Sequence, residues 1–180
     1  MKLRSRSGFT IIELLVVVAV IGILATVILA AIGNYKAKSH DARRVEDILE
    51  IQNALNLYHN DHAEYPPSGG ATLPDNTWSS SNDGSWVTLA TALRPYINPL
   101  PKDPLNTASG VWGATGNVYS YYSMGGGCPQ QWYMLVYTGE KSTTVTSPGV
   151  VACDGTVYNY GPQGFVGSSA KTVTIGANGK

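Results

Sequence analysis

Twenty consecutive residues without a charge, "LLVVVAVIGILATVILAAIG" at 14–33, constrain this chain more than any other feature. At about 1.5 Å rise per residue the run makes roughly 30 Å of helix, the thickness of a bilayer's hydrocarbon core. One membrane span is the reading. Lys2, Arg4 and Arg6 precede the run and no acid does. The positive-inside rule therefore keeps the N-terminus cytoplasmic and sends the rest of the chain outward. A cleaved secretory signal is the competing reading, since "AAIG" at 30–33 offers small residues near a cut. The length of the run and the acid Glu13 at its start count against it.

Beyond Gly33 the character changes without a break. Residues 34–62, "NYKAKSHDARRVEDILEIQNALNLYHNDH", contain no Pro or Gly and are rich in charge, so helix continues through them. Val45, Ile48, Leu49, Ile51, Leu55 and Tyr58 recur at three- and four-residue steps and form an apolar stripe. Arg43, Arg44, Glu46, Asp47 and Glu50 are assigned to the remaining, polar side. A helix from about Phe9 to His62 would run roughly 80 Å, with one half in membrane or among partner helices and the other as the spine of an outer domain. "EYPPSGG" at 64–70 stops it, because consecutive prolines supply no helix donors and restrict the residues before them.

Downstream, Trp86, Leu89, Leu93 and Ile97 in "SWVTLATALRPYI" predict one face of a short helix, followed by a rigid extended "NPLPKDP" at 98–104. Aromatic and β-branched runs at 117–124, 131–138, 156–160 and 171–175, separated by Gly and Pro, predict an antiparallel sheet. In the first run Tyr119, Tyr121 and Ser123 share one face, and Val118, Ser120 and Tyr122 the other. The fold class is α+β: a long N-terminal helix whose second half packs on a small antiparallel sheet. Cys128 and Cys153 are an even pair in an extracytoplasmic compartment, which permits a disulfide stapling the sheet's hairpins.

The motif "SGFTIIELL" resembles the cleavage and methylation signal of type IV pilins and of type II secretion pseudopilins. "DARRVEDILEIQNALNLYHNDHAEYP" is similar to their helix with its closing Tyr-Pro, and "LPKDP" to their Leu-Pro-x-Asp-Pro turn. The major pseudopilin branch fits best, over roughly the first 104 residues. The resemblance implies a pilin-like fold, a prepilin peptidase that cuts between Gly8 and Phe9, and methylation of the Phe9 amine. It implies that Glu13, the fifth residue of the processed chain, meets the Phe9 amine of a neighbouring copy during assembly. Organisation follows as a leader at 1–8, a transmembrane and polymerisation helix at 9–33, its amphipathic continuation at 34–62, a connecting region at 63–116 and a sheet region at 117–180. Implied partners are identical or related pilin subunits, the prepilin peptidase and an inner-membrane assembly platform. The implied location is the cytoplasmic membrane with the C-terminal domain outside, then an extracytoplasmic filament.

Two features depart from the family. Ala30 stands where many members carry proline, although Gly22 is kept. The major pseudopilins' C-terminal calcium loop is matched in frame by "GPQGFVGSSAKTV" at 161–173, yet Gln163, Ser169, Ala170 and Lys171 stand where acids are expected. Calcium takes six to eight oxygens with several carboxylates, so no metal and no cofactor is expected.

Other function classes fare worse. "HNDH" at 59–62 spaces two imidazoles by three residues, but solvated polarity at a helix end is the simpler reading than a metal site. "MGGGCP" at 124–129 lacks the Lys-Ser or Lys-Thr of a phosphate loop and reads as a tight turn. From residue 63 onward five basic residues face six acidic ones, so there is no nucleic-acid footprint. All three histidines fall in the helix and no nucleophile has a matched base, which argues against an enzyme. The alternative from another class is an unprocessed single-pass protein whose outer domain binds a ligand.

Overall fold

The structure is a computed structural model that describes residues 9–72, 76–107, 116–141, 147–161 and 171–179, of which 27–32 by backbone alone. The chain forms two compact units, Met1–Ala37 and Lys38–Lys180. Helix α1, Ile11–His62, contributes its first part to one unit and its second to the other. The leader with Gly8 lies outside the described residues. Among the described residues no helix is long and apolar enough to cross a membrane. The expected span also includes residues 27–32, whose side chains lie outside the description.

In the second unit, four antiparallel strands make the main sheet in the order β1 (Ser79–Ser80), β2 (Ser120–Tyr122), β3 (Tyr133–Thr138) and β6 (Thr172–Ala177). β3 and β6 pair along their full lengths, from Tyr133 opposite Ala177 to Thr138 opposite Thr172. Helix α2, Ser85–Leu93, buries Trp86, Leu89 and Leu93, as its spacing predicts, while Ile97, the fourth residue expected on that face, lies beyond the helix end and is partly buried. Three of the four predicted strand runs lie in this sheet. The run at 156–160 does not: β5 (Val157–Tyr158) pairs with β4 (Val150–Val151) as a separate two-stranded sheet. A sheet of two strands has no sheet neighbour beyond its partner, and a two-residue "VV" gives no strand signal for that partner in the sequence.

The two faces of the main sheet carry two apolar clusters. Tyr119, Tyr121, Tyr133, Leu135 and Tyr137 line one face and pack with Ile48, Ile51 and Leu55 of α1 and with α2. Val118, Met134, Val136 and the preceding Trp132 line the other, covered by Trp78 and by the β4–β5 segment. Period-two alternation thus separates Tyr119 and Tyr121 from Val118 and Tyr122 as expected.

The helix stripe differs from expectation at its edges. Ile48, Ile51 and Leu55 are buried and Tyr58 is partly buried, but Leu49 is 53% exposed. Arg44 and Asp47, assigned to the polar side, are buried, together with Ala54. The buried arc is therefore 44, 47, 48, 51, 54, 55, which is contiguous on a helix of 3.6 residues per turn. Leu49 sits about 100° around the axis from Ile48, outside that arc.

Candidate functional site

The described chain opens at Phe9, which is 79% exposed and precedes the first helical residue, Ile11. Thr10 caps the helix. Glu13 Oε2 accepts from the Thr10 amide at 2.8 Å and from its hydroxyl at 2.9 Å, while the Glu13 amide donates back to the Thr10 hydroxyl at 3.3 Å. This is a capping box, in which a Thr and a Glu three residues apart satisfy donors that the first helical turn leaves open. The sequence shows it as Thr10-x-x-Glu13, a signal that the pilin reading of Glu13 passed over. Glu13 thereby has an intrachain partner, and no described residue bonds its Oε1.

Behind this cap the helix is apolar on every side. Leu14, Leu15, Val16, Val17 and Val18 are all about half exposed or more, as are Val20, Ile21, Ile23 and Leu24. Five consecutive positions advance about 400° around the axis, so the sleeve has no inward face within one chain. A helix hydrophobic all round is stable only when lipid or other helices cover it.

In the second unit, the family-like motifs meet at one buried cation. Arg44 is 0% exposed. Its Nε donates to Asp103 Oδ2 at 2.7 Å, Nη2 to Asp103 Oδ1 at 3.0 Å, and Nη1 to Asp41 at 2.6 Å and Glu140 at 3.1 Å. Burial alone would push the Arg44 pKa down; the bonds from Asp103, Asp41 and Glu140 outweigh it and raise it. Asp103 belongs to "LPKDP", and its Oδ1 also accepts the amides of Leu105 and Asn106. Asp41 accepts the amides of Glu140 and Lys141, and Glu140 Oε1 lies 2.7 Å from His40 Nδ1. One guanidinium thus ties α1, the turn after α2 and the end of β3. The Tyr-Pro is equally specific: the Pro66 carbonyl accepts from the Tyr121 hydroxyl at 2.6 Å and the Ser123 hydroxyl at 2.7 Å.

Cys128 and Cys153 are joined, with Cα atoms 5.9 Å apart. His59 packs on the Tyr65 ring and His62 stacks on Tyr58, and among the described residues no group of three His, Cys, Asp or Glu is placed to hold a metal. Of the positions expected to lack calcium ligands, Gln163, Ser169 and Ala170 lie outside the described residues. The Lys171 ammonium donates to the Glu140 carbonyl at 2.9 Å.

A capped acid beside an exposed aromatic thus stands at the foot of a helix that is apolar on every side. The profile of the Prokaryotic N-terminal methylation motif matches residues 3–29. The chain is 33% identical over 130 residues to the type II secretion system core protein G of Vibrio cholerae, covering 69% of this chain and 75% of that one. The chain belongs to the type II secretion system core protein G family. The core protein G of Aeromonas hydrophila is 32% identical over 127 residues, 69% of this chain and 78% of its own. That of Pseudomonas aeruginosa is 29% identical over 143 residues, 78% of this chain and 90% of its own. No solved structure gives a significant match. This member of the core protein G family is a structural pseudopilus subunit, a major pseudopilin that assembles with other pseudopilins.

Proposed function

We propose that the chain is processed between Gly8 and Phe9 by a prepilin peptidase, methylated on the Phe9 amine and held in the inner membrane by residues 9–33. From there an assembly platform draws it into the extracytoplasmic filament. It has no catalytic role of its own. The observation that carries this reading is the position of Glu13, one turn inside an apolar helix that presents no inward face. A carboxylate in a membrane helix costs about 3 kcal/mol by insertion scales. The Thr10 amide and hydroxyl offset part of that cost while the subunit is stored. During assembly the Phe9 amine of an adjacent copy supplies a full positive charge to the same carboxylate. A buried ion pair of this kind is better suited to fixing axial register than to adding net stability.

The test is mass spectrometry of the N-terminus of assembled subunits. The expected product begins at Phe9 and carries one added methyl group; an intact Met1 in assembled material would overturn the reading.

A further inference from the structure

The outer face of the main sheet is closed by a flap, residues 147–161, that contains β4 and β5. Its inner side places Val150 and Ala152 in the apolar cluster, stacks Tyr158 on Trp132 at 5.1 Å and sets Tyr160 edge-on to Trp78 at 5.9 Å. Its outer side exposes Val151 and Val157. At its base the flap is fixed to β6: Ser147 Oγ accepts the Thr174 amide, and the Tyr160 amide donates to Thr174 Oγ1. At its far end the Gly179 amide donates to the Val151 carbonyl and the Val151 amide to Asn178 Oδ1. The turn at 152–155 reaches the 124–130 turn through the Cys128–Cys153 bond and the Asp154 amide on the Gly126 carbonyl. Gly126 lies so close to Ala152 and the Trp132 indole that no Cβ fits between them. A hairpin of two two-residue strands has little stability of its own.

From this arrangement we infer that Cys128 and Cys153 are a substrate for an oxidised dithiol carrier, and that their oxidation closes the flap over Trp132 and Trp78. One cysteine thiolate attacks the carrier's disulfide and forms a mixed disulfide, releasing the first carrier thiol. The second cysteine thiolate attacks the chain's sulfur in that mixed disulfide, forming Cys128–Cys153 and releasing the second carrier thiol. The two protons leave the cysteines and end on the carrier, which is reduced by the two electrons the chain gives up. The first apolar cluster, between α1 and the other sheet face, contains neither cysteine. The reduced chain is therefore a folded subunit whose flap, held then by its hydrogen bonds to β6 and residues 178–179 and its apolar contacts alone, opens far more often.

The experiment uses the full chain in detergent micelles, oxidised, reduced with dithiothreitol, and reoxidised with glutathione disulfide. Chymotrypsin cleavage after Tyr158 and Tyr160 is followed by mass spectrometry alongside far-ultraviolet circular dichroism. Reduction is expected to speed that cleavage about a hundredfold, the scale of a cross-link across a loop of this size, with the helical signal retained and glutathione disulfide reversing the change. The C128S/C153S variant is expected to be cleaved like the reduced chain and to ignore both reagents. Equal cleavage rates in the oxidised and reduced chains would overturn the inference. So would loss of the helical signal on reduction, since the bond would then hold the whole fold rather than the flap.

Discussion

Arg44 and Asp103 face each other through two hydrogen bonds, Nε to Oδ2 at 2.7 Å and Nη2 to Oδ1 at 3.0 Å, with neither side chain exposed. The pair joins the start of the domain's helix to the "LPKDP" turn 59 residues later. Removing one member of a buried pair strands the other charge and costs about 3–5 kcal/mol, whereas replacing both with apolar groups costs far less. R44M, which strands Asp103, is expected to fall in that range, D103L, which leaves Arg44 its bonds to Asp41 and Glu140, to cost less, and R44M/D103L to lose much less than their sum. Urea unfolding followed by circular dichroism gives the double-mutant cycle. Single-variant losses below about 1 kcal/mol would show that the pair does not fix the helix on the sheet.

Asp47 supplies a pH dependence of opposite sign to the usual carboxylate. Burial pushes its pKa up, and the hydrogen bond from Tyr119 at 2.8 Å and the charge of Arg43 do not reverse this. A folded-state pKa above the unfolded one means the folded chain binds the proton more tightly. Ionised Asp47 therefore subtracts stability at all pH above its folded value, and the loss is relieved as pH falls through that value. An asparagine at this position would still accept from the Tyr119 hydroxyl without burying a charge. D47N is expected to unfold at higher temperature than the wild type at pH 7, with the difference shrinking as pH falls into the carboxyl range. Thermal melts at a series of pH values check this, and a gap that widens toward acid would refute the assignment.

The capping box allows the two roles of Glu13 to be separated. Glutamine at position 13 can still accept from the Thr10 amide and hydroxyl, so E13Q keeps the cap and loses only the charge. E13Q is expected to retain wild-type helicity in micelles while forming few filaments. T10A weakens the cap by about 1 kcal/mol and leaves the charge, so it is expected to assemble. Filament yield by electron microscopy distinguishes the cases. Normal filaments from E13Q would assign Glu13 to helix capping rather than to subunit contact.

The same residues explain how much of the fold and the site is legible in the sequence. The helix to His62, the face of α2 and three strands follow from periodicity and punctuation alone, whereas the short N-terminal motif is legible only through its resemblance to the pilin signal. Position alone would also place Arg44 inside: 44, 48, 51 and 55 step by four, three and four along one helix face. Residue type argues the other way, for Arg44 and Asp47 as polar and for Leu49 as apolar, and it misleads at all three. The partners that make burial tolerable, Asp103 and Tyr119, are 59 and 72 residues away, and local spacing carries no information about such pairs. β1 is two serines, buried through hydrogen bonds rather than apolar side chains, as with the Ser80 amide on Ser85 Oγ at 2.8 Å. No propensity marks such a strand.

Gly176 sits opposite Met134 in the β3–β6 ladder, the longest pairing in the sheet. A Cβ there would collide with the Tyr133 carbonyl and lie 2.9 Å from the Met134 Cα. Both obstacles are backbone, so no rotamer change clears them, and β3 would have to move away from β6. Overpacking of this kind costs about 1–3 kcal/mol, and G176A is expected at the upper end because β3 is central, between β2 and β6. Trimming the neighbouring side chain frees no space on the backbone. M134A is therefore expected to add its own loss to that of G176A rather than rescue it. Melting temperatures of the two single variants and the double variant decide the point. Recovery in the double variant would mean that side-chain packing, not the approach of the two strands, requires glycine at this position.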